Sequence, residues 1–291
     1  MVDCIERVIA ENGRFFGVAC NTTELVNEGC RRHDVGPLAA AALGRALTGA
    51  ALLAALMKDG QSLLLRFEGN GPLKKILAEA GYDGWVRGFV AEPHAELPLI
   101  GGELDVAGGV GHAGVLTVTK TISVSQIYPG TIPLRSSTIG EDIAWYLAQS
   151  EQTPSTVGVT VSLLPDGTVA AAGGFLIQSL PPAEDAHLSS LEKGISALPP
   201  LSTLLAGSVA PGEILSRIFK AVPHRTIHHK ELQYQCNCSH TKMEGALLSL
   251  GRDDLRKLAT ERDTCEVRCE FCRQKYIFTA EELLQLANLI N

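Results

Sequence analysis

Two close pairs of cysteines near the C-terminus constrain this chain more than any other feature of its sequence. The first pair has the spacing C-x-C and the second has the spacing C-x-x-C, with residues 239–268 between them. Two such pairs can bring four sulfurs to one point, and four thiolates suit a tetrahedral Zn²⁺ with Zn–S bonds of about 2.3 Å. The spacing therefore predicts a metal site whose ligands are Cys236, Cys238, Cys269 and Cys272.

Other uses of the cysteines fit the sequence less well. Structural disulfides are typical of secreted chains, and the N-terminal residues lack the basic region and apolar run of an export signal. Cys265 or His240 could replace one sulfur, although the two pairs already complete four-coordination. Three further cysteines are scattered, and we expect them to be small apolar packing residues; they are Cys4, Cys20 and Cys30.

Charge and hydropathy argue against nucleic-acid and membrane partners. The chain has 291 residues and a net charge of −7, which favours neither nucleic acid nor an anionic membrane. The longest apolar stretch, 38–57, contains Arg45, and an arginine near a membrane centre costs about 2.5–3.5 kcal/mol on insertion scales. We therefore expect a buried helix in a cytoplasmic protein, whose thiols stay reduced unless stress oxidises them.

The pattern of strands and helices favours an α+β fold. Helices are predicted at 22–32, 37–58, 73–80 and 141–151, and strands at 13–20, 61–68, 85–90, 115–120, 157–164 and 168–176. Asn21 and Glu24 have the spacing of a capping box at the start of the first helix. Because the two kinds of element mix without strict alternation, we expect a mixed α/β core domain rather than a doubly wound parallel sheet.

Proline residues predict where this core domain ends. Pro181-Pro182 is the expected boundary, and short amphipathic helical pieces follow it. Pieces shorter than about 12–15 residues are marginal alone in water and must pack on another surface. The predicted organisation is a core domain at 1–180, a helical linker at 181–230 and a small zinc-binding domain at 231–291.

The last domain is expected to depend on its metal. Helices are predicted at 241–250 and 253–260 and a strand at 275–278, and Thr279 and Glu282 form a capping box for a final helix. A module of about 60 residues gains at most ~3–5 kcal/mol from its core, whereas structural zinc contributes ~10–16 kcal/mol in comparable peptides. The fold of the module should therefore require four reduced sulfurs.

The cysteine pattern resembles that of the Hsp33 family of redox-regulated chaperones, and so does much of the rest of the chain. The matching core segments are Asn27-Glu28, Arg32-His33, Ala42-Leu43-Gly44-Arg45, Gly69-Asn70-Gly71-Pro72, Ser150-Glu151-Gln152 with Pro154-Ser155, and Gly173-Gly174-Phe175. The resemblance implies an ATP-independent holdase that is inactive when reduced, with one Zn²⁺ per chain. It also implies that the linker is a switch region able to undock.

The resemblance further implies how the switch operates. Oxidation would form the disulfides Cys236–Cys238 and Cys269–Cys272, release zinc, unfold the C-terminal region and expose apolar surface to unfolded client proteins. The oxidised form would often be a homodimer, acting in the cytoplasm under oxidative stress.

Two other functions are weighed against this one. A zinc-ribbon nucleic-acid binder needs a basic surface, but residues 231–291 carry a net charge of −2. A thiol–disulfide oxidoreductase could use the C-x-x-C pair, although a second cysteine pair favours metal. The pattern G-x-G-x-x-G at 109–114 precedes a predicted strand instead of a helix, so it predicts no nucleotide site. With no catalytic constellation in the sequence, we expect a protein that is not an enzyme.

Overall fold

The structure is a computed structural model that describes residues 2–123, 125–180 and 185–290. The chain divides into two compact units between Gln235 and Cys236. The expected boundary at Pro181-Pro182 lies outside the described residues. Helices and antiparallel sheets mix in the chain, so the α+β prediction is confirmed.

The first unit contains both strands and helices. Its strands are β1 (Cys4–Ala10), β2 (Phe15–Asn21), β3 (Ser62–Gly69), β4 (Lys75–Gly81), β5 (Trp85–Val90), β6 (Gly114–Ser123), β7 (Gln126–Pro133), β8 (Ser155–Leu163), β9 (Val169–Ser179), β10 (His224–Glu231) and β11 (Gln233–Tyr234). Its helices are α1 (Thr23–His33), α2 (Pro37–Ala54), α3 (Val106–Val110), α4 (Gly140–Ser150), α5 (Asp185–Ser196), α6 (Leu201–Ala206) and α7 (Pro211–Ile218).

Two sheets organise this unit. The five-stranded sheet has the order β10-β1-β2-β9-β8, and all its neighbours are antiparallel. The six-stranded sheet has the order β11-β5-β4-β3-β6-β7, in which only the β11–β5 pair is parallel. Helix α2 packs against strands of both sheets and is buried along nearly its whole length.

The alanines and glycines of α2 allow this close packing. A Cβ atom on Gly49 would lie 2.4 Å from the side chain of Ile143, which leaves no room for a larger residue. Within the described residues, α2 is the one helix that is long and apolar enough to cross a membrane, and 89% of that stretch is buried in the protein. The expectation of a buried helix therefore agrees with its packing.

Helices α5, α6 and α7 cover one face of the five-stranded sheet. Their apolar side chains meet Val8, Phe15 and Phe175 of the strands in one buried cluster. Phe219, just after α7, is fully buried and approaches Gly17 of β2 so closely that a Cβ atom there would lie 2.7 Å from its ring. The short amphipathic pieces after residue 185 are thus packed on a surface of the first unit.

The end of the expected helical linker is a strand. Residues 224–231 form β10, which pairs along the edge of β1 from Cys4 opposite Glu231 to Ala10 opposite His224. Without β10, this edge of β1 would present unpaired backbone N–H and C=O groups. A strand can form hydrogen bonds with these groups along the edge, whereas a helix cannot. The run His-Arg-Thr-Ile-His-His also contains β-branched residues, which suit a strand.

The predicted helix at 73–80 is wrong, because this segment is β4. Its buried residues alternate at Ile76, Ala78 and Ala80, which is the period of a strand. Strands β3 and β5 pair with it on both sides. The leucine, lysine and alanine content favours a helix, but pairing within the sheet overrides that local preference.

The second unit contains three helices and one hairpin. Its elements are α8 (His240–Leu248), α9 (Arg252–Glu261), β12 (Thr264–Arg268), β13 (Lys275–Thr279) and α10 (Ala280–Leu289). The helices and one face of the hairpin enclose a small core around Leu255, Phe278 and Leu283, all fully buried. The predicted capping box of Thr279 and Glu282 is present at the start of α10.

Candidate metal centre

Four cysteine sulfurs meet at one point in the second unit. The Sγ atoms of Cys236, Cys238, Cys269 and Cys272 all lie within 4.8 Å of one another. The Cys236–Cys269 sulfurs are 3.8 Å apart and the Cys238–Cys272 sulfurs are 3.4 Å apart. A tetrahedral ion with Zn–S bonds of about 2.3 Å would set its sulfurs about 3.8 Å apart. The donor set and its spacing therefore fit Zn²⁺.

Local backbone structure places each cysteine pair. The C-x-C pair immediately precedes α8, whose N-cap Ser239 accepts a hydrogen bond from the backbone N–H of Lys242. The C-x-x-C pair lies in the turn between β12 and β13. In that turn the Cys269 N–H donates to the Gln274 carbonyl over 3.0 Å, and the Arg273 N–H donates to the Cys269 carbonyl over 2.8 Å.

The two pairs differ in burial. Cys269 and Cys272 are 5% and 6% exposed, whereas both members of the C-x-C pair are half-buried. Burial raises the pKa of Cys269 and of Cys272, and the nearby sulfur of Cys236 adds to both rises. Four thiolates this close would repel one another strongly, so a divalent cation is the natural partner for their charge.

Backbone hydrogen bonds to the sulfurs of Cys269 and Cys272 oppose this rise in their pKa. The backbone N–H groups of Phe271 and Cys272 donate to the sulfur of Cys269, and that of Gln274 donates to the sulfur of Cys272. The hydroxyl of Tyr276, on β13, donates to the sulfur of Cys238 over 3.1 Å. The centre therefore receives donors from the backbone of its own turn and from a neighbouring side chain.

Comparison with known proteins places the chain in a family. The family model described as "Hsp33 protein" matches residues 3–279. This chain belongs to the Hsp33 family. The 33 kDa chaperonin of Desulfotalea psychrophila is 58% identical over 286 residues, covering 98% of this chain and 97% of that protein. The 33 kDa chaperonin of Geobacter sulfurreducens is 46% identical, covering 98% of this chain and 95% of that protein.

A solved structure agrees with the family assignment. The crystal structure of the 33 kDa chaperonin (Heat shock protein 33 homolog) from Thermotoga maritima is 34% identical and superposes with a TM-score of 0.91, covering 99% of both chains. The resemblance to Hsp33 drawn from the cysteine pairs and core segments is confirmed. The protein is an Hsp33-type chaperone.

In this Hsp33 chain the four-sulfur group includes neither Cys265 nor His240, and Cys4, Cys20 and Cys30 belong to the first unit. Cys265 packs against the small apolar core of the second unit. His240 pairs with Glu244 over 3.2 Å and lies against the ring of Phe278. Burial raises the pKa of the Cys30 thiol to about 12 and raises that of the fully buried Cys20 further, as expected of packing residues.

Sequence reasoning missed Tyr276 as a member of this Hsp33 site. Tyr276 follows the C-x-x-C pair on a predicted strand, so its position on that strand indicated that it would lie near the sulfurs. No sequence pattern indicates the direction of its hydroxyl. That direction depends on how β13 packs on the helices of the second unit.

Proposed function

We propose that this Hsp33 chain is a redox-regulated holdase that binds unfolding proteins without ATP. The observation that carries the proposal is the meeting of four cysteine sulfurs within 4.8 Å in the small second unit. In the reduced form, Cys236, Cys238, Cys269 and Cys272 would hold one Zn²⁺ per chain, which would cross-link the two cysteine pairs and stabilise the unit. This reduced form would be inactive as a chaperone.

Oxidation would remove the metal ligands. Each disulfide forms from two thiolates, which give two electrons to an oxidant such as hydrogen peroxide, and the peroxide leaves as two hydroxide ions. We propose the pairs Cys236–Cys238 and Cys269–Cys272, whose members are neighbours in sequence and whose sulfurs share one centre. Disulfide sulfurs no longer bind Zn²⁺ as thiolates do, so the second unit would lose its dominant source of stability and unfold.

The surface exposed after unfolding would bind client proteins. Helices α5–α7 cover an apolar cluster on the five-stranded sheet, and their undocking would expose it. The apolar side chains they contribute are Leu191, Leu204, Leu205, Ile214, Leu215 and Ile218. Each helix has at most 12 residues, and helices of this length are marginal without a packing partner. Exposed apolar surface of this kind binds other unfolded chains.

The proposed domains are a core at 1–180, a switch linker at 181–230 and a zinc-binding sensor at 231–291. The oxidised form would be a homodimer in the cytoplasm, without nucleic-acid or membrane partners and without catalytic activity. The net charge of −7 supports the view that polyanions are not its partners.

Aggregation of a heated client protein tests the proposed function. Reduced, zinc-loaded protein and peroxide-oxidised protein are each mixed with the client, without nucleotide, and light scattering is recorded. We expect suppression of scattering by the oxidised form only, and reversal by reductant. Equal protection by both forms would contradict the redox switch. No protection by either form would contradict the holdase function, and insulin reduction and DNA binding would then be measured.

A further inference from the structure

We propose that Tyr276 is a positioning residue of the metal centre, whose hydroxyl holds Cys238 as a metal ligand and slows its oxidation. The inference rests on the proposed zinc centre and adds to it the residue that controls how readily the centre opens. It starts from one contact: the Tyr276 hydroxyl donates to the Cys238 sulfur over 3.1 Å. Hydrogen bonds to charged acceptors are stronger than those between neutral groups.

The donors to Cys238 and to the C-x-x-C pair come from different parts of the chain. The C-x-x-C pair receives its donors from the backbone of its own turn, namely the N–H groups of Phe271, Cys272 and Gln274. Such donors are fixed by the chain path and cannot be removed by changing a side chain. Cys238 receives its donor from the side chain of another strand. A single substitution can therefore remove this hydrogen bond to Cys238.

The ring of Tyr276 is held in place by packing. It lies against the small apolar core of the second unit, and its ring centroid is 6.3 Å from that of His240 in an edge-to-face arrangement. Tyr276 is paired with Val267 across the hairpin, so both side chains point to the packed face. Because the ring is already ordered, the hydroxyl needs little additional loss of freedom to meet the sulfur.

The hydroxyl acts on the more accessible half of the centre. Both cysteines of the C-x-C pair are half-buried, whereas those of the C-x-x-C pair are buried. A chelator or a peroxide molecule therefore reaches Cys236 and Cys238 first. A hydrogen bond to a thiolate withdraws charge from the sulfur, which makes the sulfur a weaker nucleophile. Tyr276 thus lowers the reactivity of one of the two more accessible cysteines.

The shielded reaction is an ordinary two-electron oxidation. The thiolate of Cys238 attacks one oxygen of hydrogen peroxide, forming a sulfenic acid and releasing hydroxide. The thiolate of Cys236 then attacks that sulfur, forming the disulfide and releasing a second hydroxide. Two electrons pass from the two sulfurs to the peroxide. The hydrogen bond that the Tyr276 hydroxyl donates to Cys238 opposes the first attack, so it slows this route to the disulfide.

The substitution Tyr276→Phe tests the proposal, because it keeps the ring and removes only the hydroxyl. Full-length, reduced, zinc-loaded protein is mixed with a chromogenic chelator, and the rate of zinc transfer is compared with that of the unsubstituted protein. We expect one zinc per chain in both proteins, and we expect zinc to transfer to the chelator about tenfold faster from the variant. Loss of thiols to peroxide should also be faster. Tyr128→Phe, an exposed tyrosine of the first unit, is the matched control and should change neither rate.

A spectroscopic readout separates a hydrogen bond from a packing effect. In the Co²⁺-substituted proteins, loss of a donor to a ligating thiolate should shift the sulfur-to-cobalt charge-transfer absorption, which a remote packing change would leave in place.

The outcomes that overturn the inference are distinct from those that overturn the zinc centre. If the unsubstituted protein binds no zinc, the proposed function fails. If it binds one zinc and Tyr276→Phe leaves the release rate and the cobalt spectrum unchanged, only the role of Tyr276 fails.

Discussion

Asp3 completes a local structure, the start of α1, although it lies far from that helix in the sequence. Its carboxylate accepts hydrogen bonds from the backbone N–H groups of Glu24 and Leu25, 21 and 22 residues later, at the start of α1. Asn21, the residue expected to cap this helix, instead accepts from the N–H and hydroxyl of Thr23. The expected capping box of Asn21 and Glu24 is therefore wrong. The carboxylate of Asp3, just before β1, accepts the hydrogen bonds from the first backbone N–H groups of the helix instead.

Asp3 gives the first unit a pH dependence. Burial raises the pKa of its carboxyl to about 6, above the value of about 3.9 in unfolded chains. The folded state then binds this proton more tightly than the unfolded state does, so the free energy of unfolding falls as the pH rises from about 4 to about 6. We expect Asp3→Asn to remove this fall, which amounts to about 2–3 kcal/mol.

Urea unfolding of both proteins between pH 4 and pH 7 measures the effect. Both tryptophans, Trp85 and Trp145, lie in the first unit, so their fluorescence reports on that unit whatever happens to the metal centre. The stability difference between the two proteins should change across this pH range. A difference that is the same at pH 4 and pH 7 would show that Asp3 does not titrate there.

The ligand set is tested by replacing single sulfurs. We expect Cys269→Ser to lose most of the zinc affinity, because hydroxyls are poor replacements for thiolates as zinc ligands. Cys265→Ala, in the same unit but in its apolar core, should keep one zinc per chain. Zinc content after dialysis, measured by metal analysis, compares the two. Full zinc retention in Cys269→Ser would exclude the proposed ligand set.

At the scale of elements, the helices that cover the five-stranded sheet are the part expected to move. Phe219 anchors them, being fully buried among Val8, Phe15 and Leu215. Replacing a buried phenylalanine with alanine costs about 3–5 kcal/mol. We therefore expect Phe219→Ala to loosen α5–α7 in reduced, zinc-loaded protein and to give partial protection of a heated client without oxidation.

Hydrogen exchange of the three helices checks this prediction. Exchange in 185–218 should accelerate in Phe219→Ala while β3 and β6 stay protected. Leu188→Ala, at a position that is 38% exposed on α5, is the control and should change exchange little. Unchanged exchange in Phe219→Ala would mean that the helices are held by other contacts than this anchor.

The elements also show what local sequence can and cannot predict. The cysteine pairs, the core helix α2 and the capping box of α10 follow from short-range spacing, and the structure contains all three. Strands β4 and β10 were assigned to helical segments, because their strand character comes from neighbours in the sheets. Tyr276 was missed for the same reason: a hydroxyl that meets a sulfur 38 residues away leaves no local pattern.

At the scale of the whole molecule, the proposed switch predicts which parts resist a protease. Reduced, zinc-loaded protein should resist cleavage in both compact units. Oxidised protein should become cleavable after residue 185 while the fragment before residue 180 persists, because in the proposed switch the second unit depends on bound metal and α5–α7 depend on docking. Mass spectrometry of the fragments identifies the sites. Equally fast digestion of the N-terminal fragment would contradict the proposed division.

The proposed switch couples thiol oxidation to loss of the bound metal. The chain has eight cysteines, and the free-thiol count and bound zinc can be followed together while peroxide acts under mild heating. We predict that bound zinc falls from one per chain to none as four thiols disappear, and that the other four thiols remain. Loss of those four thiols with zinc still bound, or loss of zinc with all thiols free, would contradict the proposed redox switch.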